Sequence, residues 1–291
     1  MSLLDKLNWN DVRVFLIAMR ATSLRDVAEQ LNISHATAGR RLTALEAQLG
    51  LTLFDRRANG LHPRAEALKI AQAAQDVERA MLALGRAAQA ADPELRGTVR
   101  VTMPLAFANH LLMPDLARFS RRWPELDLHL LPSSALSALE RAEADVAVRL
   151  KPVGVQPAEH LVGRKAATAY RAIYGLNQEA WVGWAQAPRN VGETEEGPRA
   201  KLPRVGNFPD VTLQFAACKA GLGMAWLPCF MADGHLPRLC EPVPAMDIWV
   251  VVHPDLRRSV RLRAFRDAIV ASLKDHNDRL KGVSPSPSTD S

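Results

Sequence analysis

Two short amphipathic helices joined by only three residues constrain this chain more than any other feature. Ser23 opens the first of them, and Ser23-x-x-Asp26 has the form of a capping box with Asp in place of Glu. Val27, Ala28 and Leu31 form its inner face. Asn32 suits a left-handed turn, Ile33 a buried plug, and Ser34 a cap on the next helix. That helix runs to about Leu49, with Ala38, Leu42, Leu45 and Leu49 on one face. A preceding helix over about Asn10–Ala21 presents Val12, Phe15, Leu16 and Met19 at i, i+3, i+4 and i+7. Helices joined so tightly must cross steeply, and the second then projects its N-terminal turns outward.

An outward N-terminal turn of this kind fits the major groove of B-form DNA. Ser34, His35, Thr37, Arg40 and Arg41 sit there, all able to hydrogen-bond, and the two arginines can meet phosphates or guanine edges. Two short extended segments follow, Leu51–Phe54 and Leu61–Pro63, with Asn59-Gly60 as a tight-turn signal between them. The expected wing carries Arg56 and Arg57 to the phosphate backbone or the minor groove. The net charge of +6 suits an anionic partner without proving one.

From Arg64 to Ala90 there is no proline. Ala67, Ile70, Ala74, Val77, Met81, Leu84 and Ala88 alternate spacings of three and four, a coiled-coil-like seam that either packs on its own domain or, as the favoured reading, pairs with a second copy. Pro93 and Gly97 mark a hinge. Beyond it, strand candidates (Thr98–Met103, Asp127–Leu131, Asp145–Arg149) alternate with helical segments near Leu111–Arg122 and Leu136–Ala142, the rhythm of a parallel sheet. A second set covers Arg171–Tyr174, Val182–Trp184, a helix Val211–Ala220, Met224–Leu227 and Asp247–Val252. A helix from Val260 to about Leu280 follows. The Ser/Pro-rich tail 282–291 reads as disordered.

Several classes are disfavoured. No apolar run reaches the roughly 18 to 20 residues that a membrane span needs. Leu3-Leu4 is followed at once by Asp5 and Lys6, unlike an export signal, so a cytoplasmic location is expected. Cys218, Cys229 and Cys240 fit neither a disulfide framework nor a metal motif, so no metal and no cofactor are expected. There is no His-Glu-x-x-His, P-loop or Gly-x-Ser-x-Gly, and Gly221-x-Gly223 follows a helix rather than a strand, so catalysis is not expected.

The ordered set Ser34-His35-Ala36-Thr37-Ala38-Gly39-Arg40-Arg41-Leu42, Leu45-Glu46, Leu49-Gly50, Leu53-Phe54 and Arg56 resembles the LysR-type transcriptional regulators. The likeness extends through Gly97–Val101, Ala144–Arg149, Ala220–Pro228 and His253–Arg258, from about Asn8 to Leu273. The chain departs from the family pattern at His35, where Gln is usual, at Gly39, where Ser is usual, and at Arg57 and Arg64, where Thr is common. It is also short between Tyr174 and Trp181. The resemblance implies an α/β protein with an N-terminal all-α winged helix-turn-helix (1–63) and a long linker and dimerisation helix (64–92). A two-lobed effector domain shaped like a periplasmic binding protein (93–281) would follow. It implies double-stranded DNA, a small-molecule effector, RNA polymerase and further copies of the chain, as dimer or tetramer, for partners.

Ligands of open α/β sheets sit beyond the strand C-termini. That rule selects Leu105 and Ala106 after the first strand, Ser133 and Ser134 after the second, Arg149 after the third, and Asn207 and Phe208 before the helix at Val211. Two other readings stay open at this point: a ligand-blind DNA-binding regulator whose second half only sets oligomer geometry, and an enzyme with a fused DNA-reading head.

Overall fold

A computed structural model describes residues 7–57, 60–132, 139, 143–158, 161–183 and 201–283. The chain divides into two compact units, Met1–Gly85 and Arg86–Ser291.

The first unit holds α1 (Trp9–Ala18), α2 (Leu24–Leu31), α3 (His35–Leu49), the strands β1 (Phe54–Arg57) and β2 (Gly60–Pro63), and most of α4 (Ala65–Ala91). Local chemistry explains the ends. The Asn8 side chain accepts from Asn10 N, Ser23 Oγ from Asp26 N and Ser34 Oγ from Thr37 N. The Asp26 carboxylate accepts from the amide of Thr22 rather than that of Ser23, so the capping box is displaced by one residue. Asn32 (φ 51°) ends α2 and Gly50 (φ 66°) ends α3, both left-handed. The first helix stops at Ala18, short of the expected Ala21, because the amide of Arg20 turns back to Ile17 O. Phe15, Val27, Ala38, Leu42, Leu45 and Leu53 form the core, and Phe15 meets Phe54 edge to face at 5.9 Å.

The wing strands are antiparallel, from Phe54 opposite Pro63 to Arg57 opposite Gly60. The amide of Leu61 donates to Thr22 O at 3.1 Å, which docks the wing against the entry to α2. Gly60 has φ 129°, and a Cβ there would lie 2.4 Å from Thr22 O, so only glycine fits. Asn59, half of the expected turn signal, lies outside the described residues. In α4 the seam changes character along its length. Ala67 and Ala74 are buried within the head, whereas Val77, Met81 and Leu84 are exposed.

The second unit is built on one six-stranded mixed sheet in the order β4-β3-β5-β10-β6-β9. Here β3 is Gly97–Met103, β4 Leu126–Pro132, β5 Val146–Pro152, β6 Val162–Tyr174, β9 Ala225–Pro228 and β10 Val243–Val252. Strands β4, β3 and β5 run parallel, as the alternation of elements suggests. The parallel rhythm does not extend further, because β10 returns and inserts antiparallel between β5 and β6. The long β6 makes the two lobes. Val162–Arg171 pair with β10 in the first, and Arg171–Tyr174 pair with β9 in the second. The second lobe adds β7 (Trp181–Val182), β8 (Arg204–Val205), α7 (Val211–Lys219) and α8 (Cys229–Ala232).

In the first lobe, α5 (Leu105–Phe107), a π turn (Ala108–Leu112) and α6 (Met113–Arg122) follow β3. The expected helix Val260–Leu280 is two helices, α9 (Val260–Asp275) and α10 (Asn277–Lys281). They part at His276, whose Nε2 is 2.7 Å from Asp115 Oδ2. Phe119 packs edge to face on Phe265 at 5.2 Å, and so fixes α9 against α6. Residue 139 apart, the expected helix Leu136–Ala142 lies outside the described residues, as do 284–291 of the tail. Among the described residues no helix is long and apolar enough to cross a membrane.

Candidate nucleic-acid interface and ligand cleft

Burial along α3 sorts its residues by role. Ala38, Leu42 and Leu45 face the core, while Ala36, Arg40, Thr43 and Ala47 form an exposed stripe, flanked at the N-terminus by the exposed Ser34 and His35. Arg40 and His35 make no hydrogen bond or ion pair with the described residues and stand toward solvent. Ser34 and Thr37 are joined at the helix start, Ser34 Oγ to Thr37 Oγ1 at 2.9 Å. Arg41 is off the stripe. Its Nη1 donates to Asp11 Oδ1 of α1 at 3.1 Å, and Asp11 is almost fully buried. The structure therefore does not bring Arg41 together with Arg40.

The wing is tied to the same helix at two points. Glu46 Oε1 accepts from Leu53 N at 2.7 Å and from Phe54 N at 3.3 Å, fixing where β1 leaves α3. Arg56 Nη2 donates to Thr43 Oγ1 at 2.9 Å. Arg56 thus lies beside the exposed stripe, its guanidinium tied to Thr43. Arg57 pairs with Asp55 at 3.2 Å, and Arg64 approaches the same carboxylate at 3.5 Å. Both are exposed pairs that a phosphate can outcompete. Thr43 and Ala36 were not singled out by sequence. Their signal is the i, i+4, i+7 spacing of Ala36, Arg40 and Thr43.

In the second unit the parallel strands β3 and β5 end on the same edge of the sheet. Leu105 is exposed and opens α5 there, whereas Ala106 is buried. Arg149 does not follow its strand as expected but lies in the middle of β5, which runs on to Pro152 because β10 pairs with it. It is 3% exposed and spans β5 to β3, with Nη1 donating to Thr102 O and Val148 O at 3.1 Å and Nη2 to Thr102 Oγ1 at 3.2 Å. Burial pulls its pKa down to about 10. Asn207 is exposed in the second lobe. Phe208 is held by Phe208 N to Gly183 O at 2.9 Å and by Gln214 Nε2 to Phe208 O at 3.2 Å. Asp210 caps α7 just beyond it. Ser133 and Ser134 lie outside the described residues. Among the described residues no group of three or more His, Cys, Asp or Glu side chains is placed to hold a metal ion.

Comparison with known proteins covers both units. The domain described as "Bacterial regulatory helix-turn-helix protein, lysR family" matches residues 9–68. The "LysR substrate binding domain" matches 92–172 and 175–274, with its break at the end of β6. The regulator CrgA of Neisseria meningitidis serogroup C is 27% identical over 92% of this chain and 98% of its own length. DmlR of Escherichia coli K12 is 26% identical over 87% and 91%. Among solved structures, AphB, a virulence activator of Vibrio cholerae, superposes with a TM-score of 0.55 at 19% identity, covering 91% of this chain and 99% of its own. The CrgA structure superposes with a TM-score of 0.53 at 22% identity, covering 92% and 99%.

Proposed function

Because this chain belongs to the LysR family of helix-turn-helix transcriptional regulators, we propose that its α3 stripe and wing are the surface that reads an operator. Arg40 and His35 address base edges. Arg56 and Arg57 hold phosphate, and Ser34 with Thr37 shape the helix start. Arg41 acts behind this surface by fastening α3 to α1. The observation that carries the reading is the exposure of Arg40 on a helix whose opposite face is the core, with Arg56 tied in beside it.

The protein works as a homo-oligomer whose α4 helices pair through Val77, Met81 and Leu84, apolar residues left exposed by the described residues. Heads paired in this way read two half-sites. The second unit is a sensor. A small anionic molecule, a carboxylate by its chemistry, binds at the strand ends near Leu105, Ala106 and Arg149, closed over by Asn207 and Phe208. The buried guanidinium of Arg149 supports that charge preference. A solved relative at a TM-score of 0.51, LysG of Corynebacterium glutamicum, is described with bound effector Arg. Ligand closure shifts the population of lobe arrangements, and through the oligomer the spacing of the heads and recruitment of RNA polymerase. The protein performs no catalysis and acts in the cytoplasm.

Anisotropy titrations of the full chain against DNA upstream of its own gene test the interface. Affinity should fall steeply as salt rises, and salt-insensitive or absent binding overturns it. A thermal-shift screen of organic acids, amino acids and aromatics tests the sensor. Silence across that library favours the ligand-blind reading.

A further inference from the structure

The exposed face of α3 carries a pocket whose apolar part comes from Leu24, Ala36 and Gly39 and whose polar part comes from His35, Arg40, Thr43 and Arg56. Gly39 is the unusual member. It lies in the interior of a 15-residue helix, where glycine costs about 1 kcal/mol relative to alanine. Nothing in the backbone requires it, since its φ is not positive. Nothing in the packing requires it either, because a Cβ built at residue 39 meets no atom within 4 Å. Gly60 is the contrast, where a Cβ would strike Thr22 O at 2.4 Å. The head tolerates a side chain at residue 39 and has none, so the space is open to whatever docks on α3.

The surroundings say what that is. Arg40 and Arg56 make the rim cationic, and His35 lies one helical turn before Gly39. The partner is therefore an anionic surface that enters along the helix. Within a major groove the one apolar group a base pair presents is the C5-methyl of thymine. We propose that the Gly39 pocket receives a thymine C5-methyl, which makes Gly39 a specificity-determining residue, with His35 donating to the neighbouring base edge. The inference rests on the operator-reading role of α3 proposed above.

The test uses the full chain and the duplex that it selects from a randomised pool, measured by anisotropy across a salt series. Each thymine of a half-site is replaced in turn by uracil, which removes only the methyl. Burying one methyl is worth about 0.8 kcal/mol, or about fourfold in affinity per half-site. One thymine position should show that loss with the wild-type protein. Gly39→Ala should fold with an unchanged or raised melting temperature and keep its salt dependence. It should bind the thymine duplex about fourfold more weakly and ignore uracil at that position. Salt-dependent binding with no thymine sensitive to uracil overturns this inference alone. So does a Gly39→Ala protein that keeps both wild-type affinity and the uracil response. Failure to select any duplex, or salt-insensitive binding, overturns the operator-reading role and this inference with it.

Discussion

Arg41 Nη1 lies 3.1 Å from Asp11 Oδ1, and this pair bolts α3 to α1. Its neighbour Arg40 stands on the exposed stripe without a partner among the described residues. Two adjacent arginines thus divide between scaffold and surface. Arg41→Ala would strand the buried Asp11 carboxylate, a loss of about 1–3 kcal/mol. Its melting temperature should drop, while Arg40→Ala should melt like wild type and lose operator affinity. Unfolding and binding curves for both variants check this. Equal melting temperatures would show that Asp11 does not need Arg41.

The wing should contribute charge without sequence preference. Arg56→Ala removes one phosphate contact, so the slope of log affinity against log salt should shrink by about 1. Affinity should fall to a similar extent on specific and random duplexes. Thr43→Val keeps the charge and removes only the tie at 2.9 Å. That variant should retain the full salt slope and lose a smaller factor. If Arg56→Ala instead relaxes base preference at one position, Arg56 reads a base.

Which of these features the sequence discloses depends on how local they are. The caps Ser23 and Ser34 and the left-handed Asn32 act within three or four residues of themselves, so the helices they bound are legible. The wing is legible for the same reason. Arg41 is not, because its partner is 30 residues away and nothing in its own neighbourhood marks the pairing. The first two-thirds of β6, Val162–Tyr170, contain Gly163, Arg164, Lys165 and three alanines and lack apolar alternation. They extend because β10 pairs with them, a contact made across some 80 residues of chain. The same insertion of β10 turns an expected parallel sheet into a mixed one. The sequence puts Arg149 at the end of its strand, whereas pairing with β10 carries β5 on to Pro152 and leaves Arg149 mid-strand, donating to Thr102.

The cysteines should differ in reactivity. Cys218 is fully buried, and burial pushes its thiol up to about 11. Burial likewise raises Cys229, which is also fully buried. Cys240 is half-buried, with its Sγ accepting from the amide of Ile173 at 3.2 Å. At pH 8 only about one part in a thousand of Cys218 would be thiolate. A disulfide reagent at that pH should titrate Cys240 first in the native protein, and all three thiols only in denaturant. Rapid labelling of Cys218 by mass mapping would mean that the core around it opens.

Acid should act on the first lobe through Asp247. Its carboxylate is 2% exposed, and burial alone would raise its pKa. Three partners outweigh that: Lys165 Nζ at 2.6 Å, the amide of Gly154 at 3.0 Å and Thr168 Oγ1 at 2.8 Å. The folded-state pKa therefore lies below the ordinary 3.8. A depressed carboxylate stabilises the fold fully above its unfolded value, and that contribution is lost as the pH falls through the folded one. Asp247→Asn removes the charge and should be less stable than wild type at pH 7, by on the order of 1–2 kcal/mol. The gap between the two proteins in urea unfolding should narrow as the pH is lowered below the ordinary carboxylate value, because wild type then loses the same charge. A gap that stays constant down to that range would assign the stabilisation to packing and the Thr168 hydrogen bond rather than to the ionised group.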